Sequence, residues 1–207
     1  MNVKPEPILQ RIPYFEKEAH AVSRGMHDLV IKGGKPAREA ADLLHGTWMG
    51  HPLHSALTDL TIGAWLFGTI FDWIGLTTKS EGAERCADRL IDIGNLSAVP
   101  TAVAGLADYS TIPHGSINTG AAHGLINACG FALNLMSGSA RKSGRRSLGV
   151  TLSAMAAGGL LVSAWLGGEL SYRYKVGVNR IPKPKGPDDW EPVLDEQELP
   201  EGERKRI

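Results

Sequence analysis

The stretch SLGVTLSAMAAGGLLVSAWLGG, residues 147–168, contains no Asp, Glu, Lys or Arg. Neither does YSTIPHGSINTGAAHGLINACGFALNLMSGSA, residues 109–140. A helix needs roughly 20 apolar residues to cross hydrocarbon, so each stretch has the length of a membrane span. Only RKSGRR, residues 141–146, separates them, which makes the pair a hairpin of two spans. Moving towards the N-terminus, HPLHSALTDLTIGAWLFGTIFDWIGL, residues 51–76, is broken only by Asp59 and Asp72, and Pro52 suits a first helical turn. After the polar KSEGAERCADR comes LIDIGNLSAVPTAVAGLADY, residues 90–109, in which Pro100 predicts a kink. The expected fold is all-α: a four-helix transmembrane bundle over residues 47–178, with an N-terminal surface helix and a C-terminal irregular tail. Small residues at helical spacing, such as Gly94, Ala98, Thr101 and Gly105, and then Ser153, Ala157 and Gly167, suit close helix packing in lipid.

Bulk composition hides this pattern. The mean hydropathy is −0.11, because charges gather at the two ends and in the two short internal stretches. The formal charge is zero, which removes the electrostatic reason to expect a nucleic-acid partner. Cys86 and Cys129 stand far apart with no CxxC or Cys/His cluster, so no disulfide framework or thiolate zinc site is expected. The opening MNVKPEPILQRIPYFEKEAH has no apolar run or cleavage site of a secretory signal. Within residues 1–46, PAREAADLLHG reads as a short surface helix, from Pro36 to the stop at Gly46. From residue 179 the chain is rich in proline and mixed charge and reads as an exposed linker. The lipid bilayer is the expected surroundings, with the chain multi-pass in a cell membrane. The short loops around residues 77–89 and 138–146, rich in Lys and Arg, are expected to be cytoplasmic.

Four antiparallel spans bring the starts of the first and third to the same depth as the ends of the second and fourth. His51, His54, Asp59, Asp108, His114, His123 and Glu169 then share one end, the terminal side, while Asp72 and Asp92 lie at the other, the loop side. Ionisable groups inside spans are costly and tend to face the bundle interior. His54 and His123 fall at similar depth on different helices, as two axial ligands of a b-type haem do, and Gly120 and Gly124 flank His123. Asp59 and Asp108 are candidates to orient the imidazoles through their second nitrogens. A non-haem metal or proton-handling site and a purely structural polar cluster stand beside haem as alternatives. His20, His27 and His45 read as surface residues, and Trp48, Trp73, Tyr109, Tyr172 and Tyr174 as interfacial anchors. No Gly-rich phosphate loop, GxSxG or HExxH is present.

The runs LLHGTWMGHPLHSALTDLTIGAW, VPTAVAGLADYS, AAHGLINACGFAL and WLGGELSYRYKVGVNR resemble the bacterial membrane family known as domain of unknown function 2231, over about residues 43–180. The HPLH motif followed by Asp is its most specific part. The resemblance maps onto His51, His54, Asp59, Asp108 and His123, and places Glu169 where many relatives have His. Many relatives carry a Rieske iron-sulfur domain after the membrane module, and the resemblance implies that WEPVLDEQELPEGERKRI, within residues 179–207, is the truncated start of one. The Cys-x-His and Cys-x-x-His ligands of that cluster are absent, so no iron-sulfur cluster is expected in this chain. The expected function is a membrane module for electron transfer that binds haem b between a quinol donor and a Rieske-type partner, not an enzyme alone but a subunit of a membrane oxidoreductase. A non-redox membrane anchor or interaction protein, and a small transporter or metal-handling protein, are the rivals.

Overall fold

The structure, a computed structural model, describes residues 13–178 and residue 194. The reading of 179–207 as a linker and Rieske-like start falls, save for Leu194, outside the described residues. Among the described residues six α-helices follow in order: α1 (Pro13–Lys32), α2 (Gly34–Leu44), α3 (Leu53–Thr78), α4 (Glu81–Ser110), α5 (Ile117–Lys142) and α6 (Arg146–Gly168). Among the described residues the fold is all-helical.

Local chemistry sets the ends of the long helices. Lys79, left-handed at φ 56°, stops α3. Ser80 then caps α4 by accepting from the Ala83 amide at 3.3 Å, and Glu81 and Glu84 complement the positive end of the helix dipole. Pro100 lies within α4, which continues through it. Arg141 and Lys142 occupy the last turn of α5, where cations are favoured. Gly144 at φ +75° makes the turn into α6. The final turn, Glu169–Arg173, widens to π-helical bonding, with the Tyr174 amide reaching the Glu169 carbonyl at 3.1 Å.

Among the described residues three helices are long and apolar enough to cross a membrane: Leu53–Thr78, Glu81–Ser110 and Arg146–Arg173. Only 33%, 39% and 28% of their apolar windows are buried in the protein. Most of their apolar surface therefore faces outward, through Leu60, Phe67, Leu96, Val103, Leu161 and Trp165 among others. The interior is small and polar instead, with Thr61, Asp72, Ser97, Thr101, Asn134, Ser137, Ser153 and Ser163 all buried. Lipid tails solvate Leu as well as another helix does, so contact between helices is left to small residues and hydrogen bonds. The four-span expectation is thus met by length and composition on three helices. In α5, Asn118, His123, Asn127 and Asn134 dilute the apolar character.

The four long helices form two hairpins, α3–α4 and α5–α6, which pack together along the α4/α5 and α3/α6 seams. Trp65, Ile91, Ala98 and Leu160 form the apolar core, with Ile62, Leu66 and Phe131 against it. Gly94 is required there: an added Cβ would overlap the Trp65 indole.

The N-terminal segment holds more structure than a short surface helix. The helix read from PAREAADLLHG corresponds to α2, but α1 precedes it and lies across the ends of α4 and α5. Ala19 and Ser23 are buried, the Ser23 hydroxyl donates to the Tyr109 carbonyl at 3.2 Å, and the Tyr109 hydroxyl reaches the carbonyls of Ala19 and Ile117, both at 3.1 Å. Tyr109, expected as an interfacial anchor, instead ties α1 to the bundle. Trp48, Trp73 and Tyr172 are exposed, as interfacial anchors require.

Candidate functional site

The first turn of α3 and the second turn of α5 bring His54 and His123 together, with ring centroids 6.2 Å apart and planes at 87°. Each imidazole is held by a backbone carbonyl of the other helix in its own hairpin. His54 Nδ1 lies 2.8 Å from the Thr101 oxygen on α4, and His123 Nδ1 lies 2.9 Å from the Ser163 oxygen on α6. A carbonyl only accepts, so both Nδ1 atoms carry the proton and, in the neutral rings, both Nε2 atoms hold the lone pair. This is the tautomer that metal-ligating histidines adopt when their other nitrogen is bonded to a carbonyl. His123 Nε2 accepts from Asn127 Nδ2 at 3.1 Å, one turn along α5. His54 Nε2 makes no hydrogen bond among the described residues.

Glycines let the rings sit so close to the backbone. An added Cβ at Gly105 would lie 2.9 Å from two His54 ring atoms, and one at Gly167 would lie 3.3 Å from His123 Cε1. Gly105 came from the sequence as a packing residue, and here it shapes the imidazole's seat. Gly120 meets Ile112 and Tyr109 rather than either imidazole, and Gly124 is on the exposed side of α5.

The remaining sequence candidates are dispersed. Asp108 pairs with His45, Nδ1 to Oδ1 at 2.7 Å, with side chains only 10% and 15% exposed. His45, read as a surface residue, is therefore nearly covered, closing the terminal side through the C-cap of α2. His51 and Asp59 are exposed. His20 on α1 stacks on His114, centroids 5.8 Å apart and planes at 21°. Glu169 pairs with Arg173 at 3.2 Å, one turn along the chain. Among the described residues no group of three or more His, Cys, Asp or Glu is placed to hold a metal ion.

A second polar centre, not read from the sequence, lies at the loop side. Asp72 of α3 is 1% exposed and Arg141 of α5 is 3% exposed, and the guanidinium meets the carboxylate through both terminal nitrogens, one at 2.7 Å. Arg141 also reaches Asp88 at 2.9 Å, Ser137 at 3.1 Å and Ser153 at 3.0 Å. Arg146 joins Asp72, Asp88 and Glu84. The acids of this network belong to the α3–α4 hairpin and the bases to the α5–α6 hairpin. Every donor of Arg141 finds an acceptor, which is what burying a charge requires.

Residues 50–180 match the family model described as "Predicted membrane protein (DUF2231)". No curated protein and no solved structure matches the chain. The match takes in α3 to α6 with both polar centres, and leaves out α1 and α2. With a paired imidazole site and a buried ionic lock inside a bundle whose apolar surface faces outward, and a family model covering more than half of its length, this multi-pass membrane protein belongs to the DUF2231 family.

Proposed function

We propose that this protein is a membrane-embedded electron-transfer module in which α5 is a fourth span and His54 and His123 would hold a b-type haem. The observation that carries the reading is the imidazole pair. The two rings sit on different helices with centroids 6.2 Å apart. Both Nδ1 protons are taken by carbonyls, which fixes the rings and leaves the Nε2 lone pairs for iron. Binding at His123 requires the Asn127 amide to release Nε2. The haem supplies a one-electron couple. The chain's own part is to orient the two imidazoles through the Thr101 and Ser163 carbonyls.

Support for α5 as a span comes from its 26 residues, about 39 Å of helix. Its outward residues Leu125, Leu135 and Met136 are apolar, while Asn134 is turned inside. The donor class we assign is a quinol and the acceptor a Rieske-type iron-sulfur protein, the latter resting on the resemblance of residues 190–207. A reduced-minus-oxidised absorption spectrum of the full chain, purified with ample haem supply, tests the site. A b-type signal that disappears in both His54→Ala and His123→Ala is expected, and a signal intact in both variants rules the ligands out.

A non-redox anchor is the second reading, and one observation favours it: each imidazole already cross-links a hairpin, His54 joining α3 to α4 and His123 joining α5 to α6. Folded protein with no haem under the same conditions decides for it.

A further inference from the structure

Away from the imidazole pair, the α4/α5 seam opens outward into a groove of about 570 Å³. Its walls are Leu96, Val99, Phe131 and Leu135, and at its loop-side end stand Asp92 and Lys142. From Asp92 to Val99 the helix rises about 10 Å, so the groove reaches about that far into the bilayer from its polar end. At the polar end a recess of about 90 Å³ is lined by Asp88, Asp92, Arg141 and Lys142, two acids beside two bases. We propose that this seam is a binding site for one aminophospholipid of the phosphatidylethanolamine class in the loop-side leaflet.

The recess matches a headgroup that carries both signs at short range. Asp88 and Arg141 form its fixed floor, because Arg141 is buried and already held by Asp72, Ser137 and Ser153. Asp92 and Lys142 are its adjustable rim. They pair at 2.9 Å but stay 39% and 70% exposed, and an exposed pair of this kind opens at little cost. Opened, Lys142 donates to the lipid phosphate and Asp92 accepts from the ammonium, which replaces one ion pair by two. An ethanolamine ammonium carries three N–H donors. A choline headgroup carries none, and a glycerol headgroup has no cation for Asp92. The acyl chains follow the four apolar walls, and the groove falls within the roughly 300–1,000 Å³ of ordinary ligand sites.

The test is native mass spectrometry of the full chain released from a bilayer with equal parts of phosphatidylethanolamine, phosphatidylcholine and phosphatidylglycerol of one acyl composition. One phosphatidylethanolamine retained at least fivefold over either competitor is expected. Asp92→Ala should abolish that preference, while Lys142→Ala should weaken retention of all three lipids, since each carries the phosphate. Leu96→Trp, on the outward face, should lower retention of all three by filling the groove. These side chains are at least partly exposed, so the variants keep the fold, and Asp92→Asn serves as a milder check. Equal retention of the three lipids overturns the proposal. So does a preference for phosphatidylglycerol, which is attraction of an anionic lipid to a basic loop, or an ethanolamine preference that survives Asp92→Ala.

Discussion

At the scale of the residue, the seats of the large side chains are cut by glycine. The indole of Trp65 lies where a side chain on residue 94 would begin, and its Nε1 donates to Asn95 Oδ1 at 3.2 Å. Gly94→Ala is therefore expected to destabilise the bundle by about 1–3 kcal/mol through overpacking, read as a lower midpoint of unfolding in detergent. Gly105→Ala acts on the imidazole instead. It should displace His54 from the Thr101 carbonyl and, on the proposed haem-binding reading, alter the absorption spectrum, with a smaller change in stability than Gly94→Ala because position 105 is less enclosed. An unchanged spectrum in folded Gly105→Ala protein would mean that the ring's position does not matter to the site. Much of this centre was legible in the sequence: antiparallel spans fix depth, and depth alone places His54 beside His123. Its partners were not legible. They are backbone carbonyls chosen by the rotation of each helix about its own axis, and a backbone carbonyl leaves no mark in a sequence. Asp108 was proposed to orient a ligand imidazole, but that orientation is supplied by Thr101 and Ser163, and Asp108 meets His45.

At the scale of the element, α1 holds to the bundle through little apolar surface and two hydrogen bonds at Tyr109. A hydrogen bond of this kind contributes about 0.5–1.5 kcal/mol net, so the attachment is modest. Tyr109→Phe combined with Ser23→Ala should leave α3 to α6 folded and loosen α1. Limited proteolysis at the α1–α2 junction near Gly33 and Gly34 should then run several-fold faster, with the bundle's unfolding midpoint nearly unchanged. Cleavage at the wild-type rate would show that these bonds do not hold the helix. The sequence concealed α1 because its contact face is Ala19 and Ser23, small residues one turn apart that no apolar periodicity marks, while Val22, Leu29 and Ile31 point away from the protein. Helix α5 read as a span from its freedom from charge, and its asparagines and histidine leave it less apolar than its neighbours.

At the scale of the whole molecule, two hairpins with greasy outsides have little hydrophobic reason to choose one another in lipid. The ionic lock supplies the choice. Asp72, Glu84 and Asp88 face Arg141 and Arg146 across the interface, and a hairpin slid by a turn or paired with its own copy would confront like charges. That separation of sign was visible in the sequence, but the charges of residues 77–89 and 138–146 were weighed only for orientation across the membrane. Their pairing needs the register that the fold provides. Arg141→Met should cost about 3–5 kcal/mol, because it strands a buried carboxylate, and Arg146 with Ser153 cannot replace a bidentate partner at Asp72. Adding Asp72→Leu in the same chain removes the stranded charge and should recover most of the loss, giving strong coupling in a double-mutant cycle of detergent unfolding. If the two losses simply add, the lock contributes nothing beyond its separate parts, and hairpin docking must be assigned to the small-residue contacts around Ser97, Ala98 and Asn134.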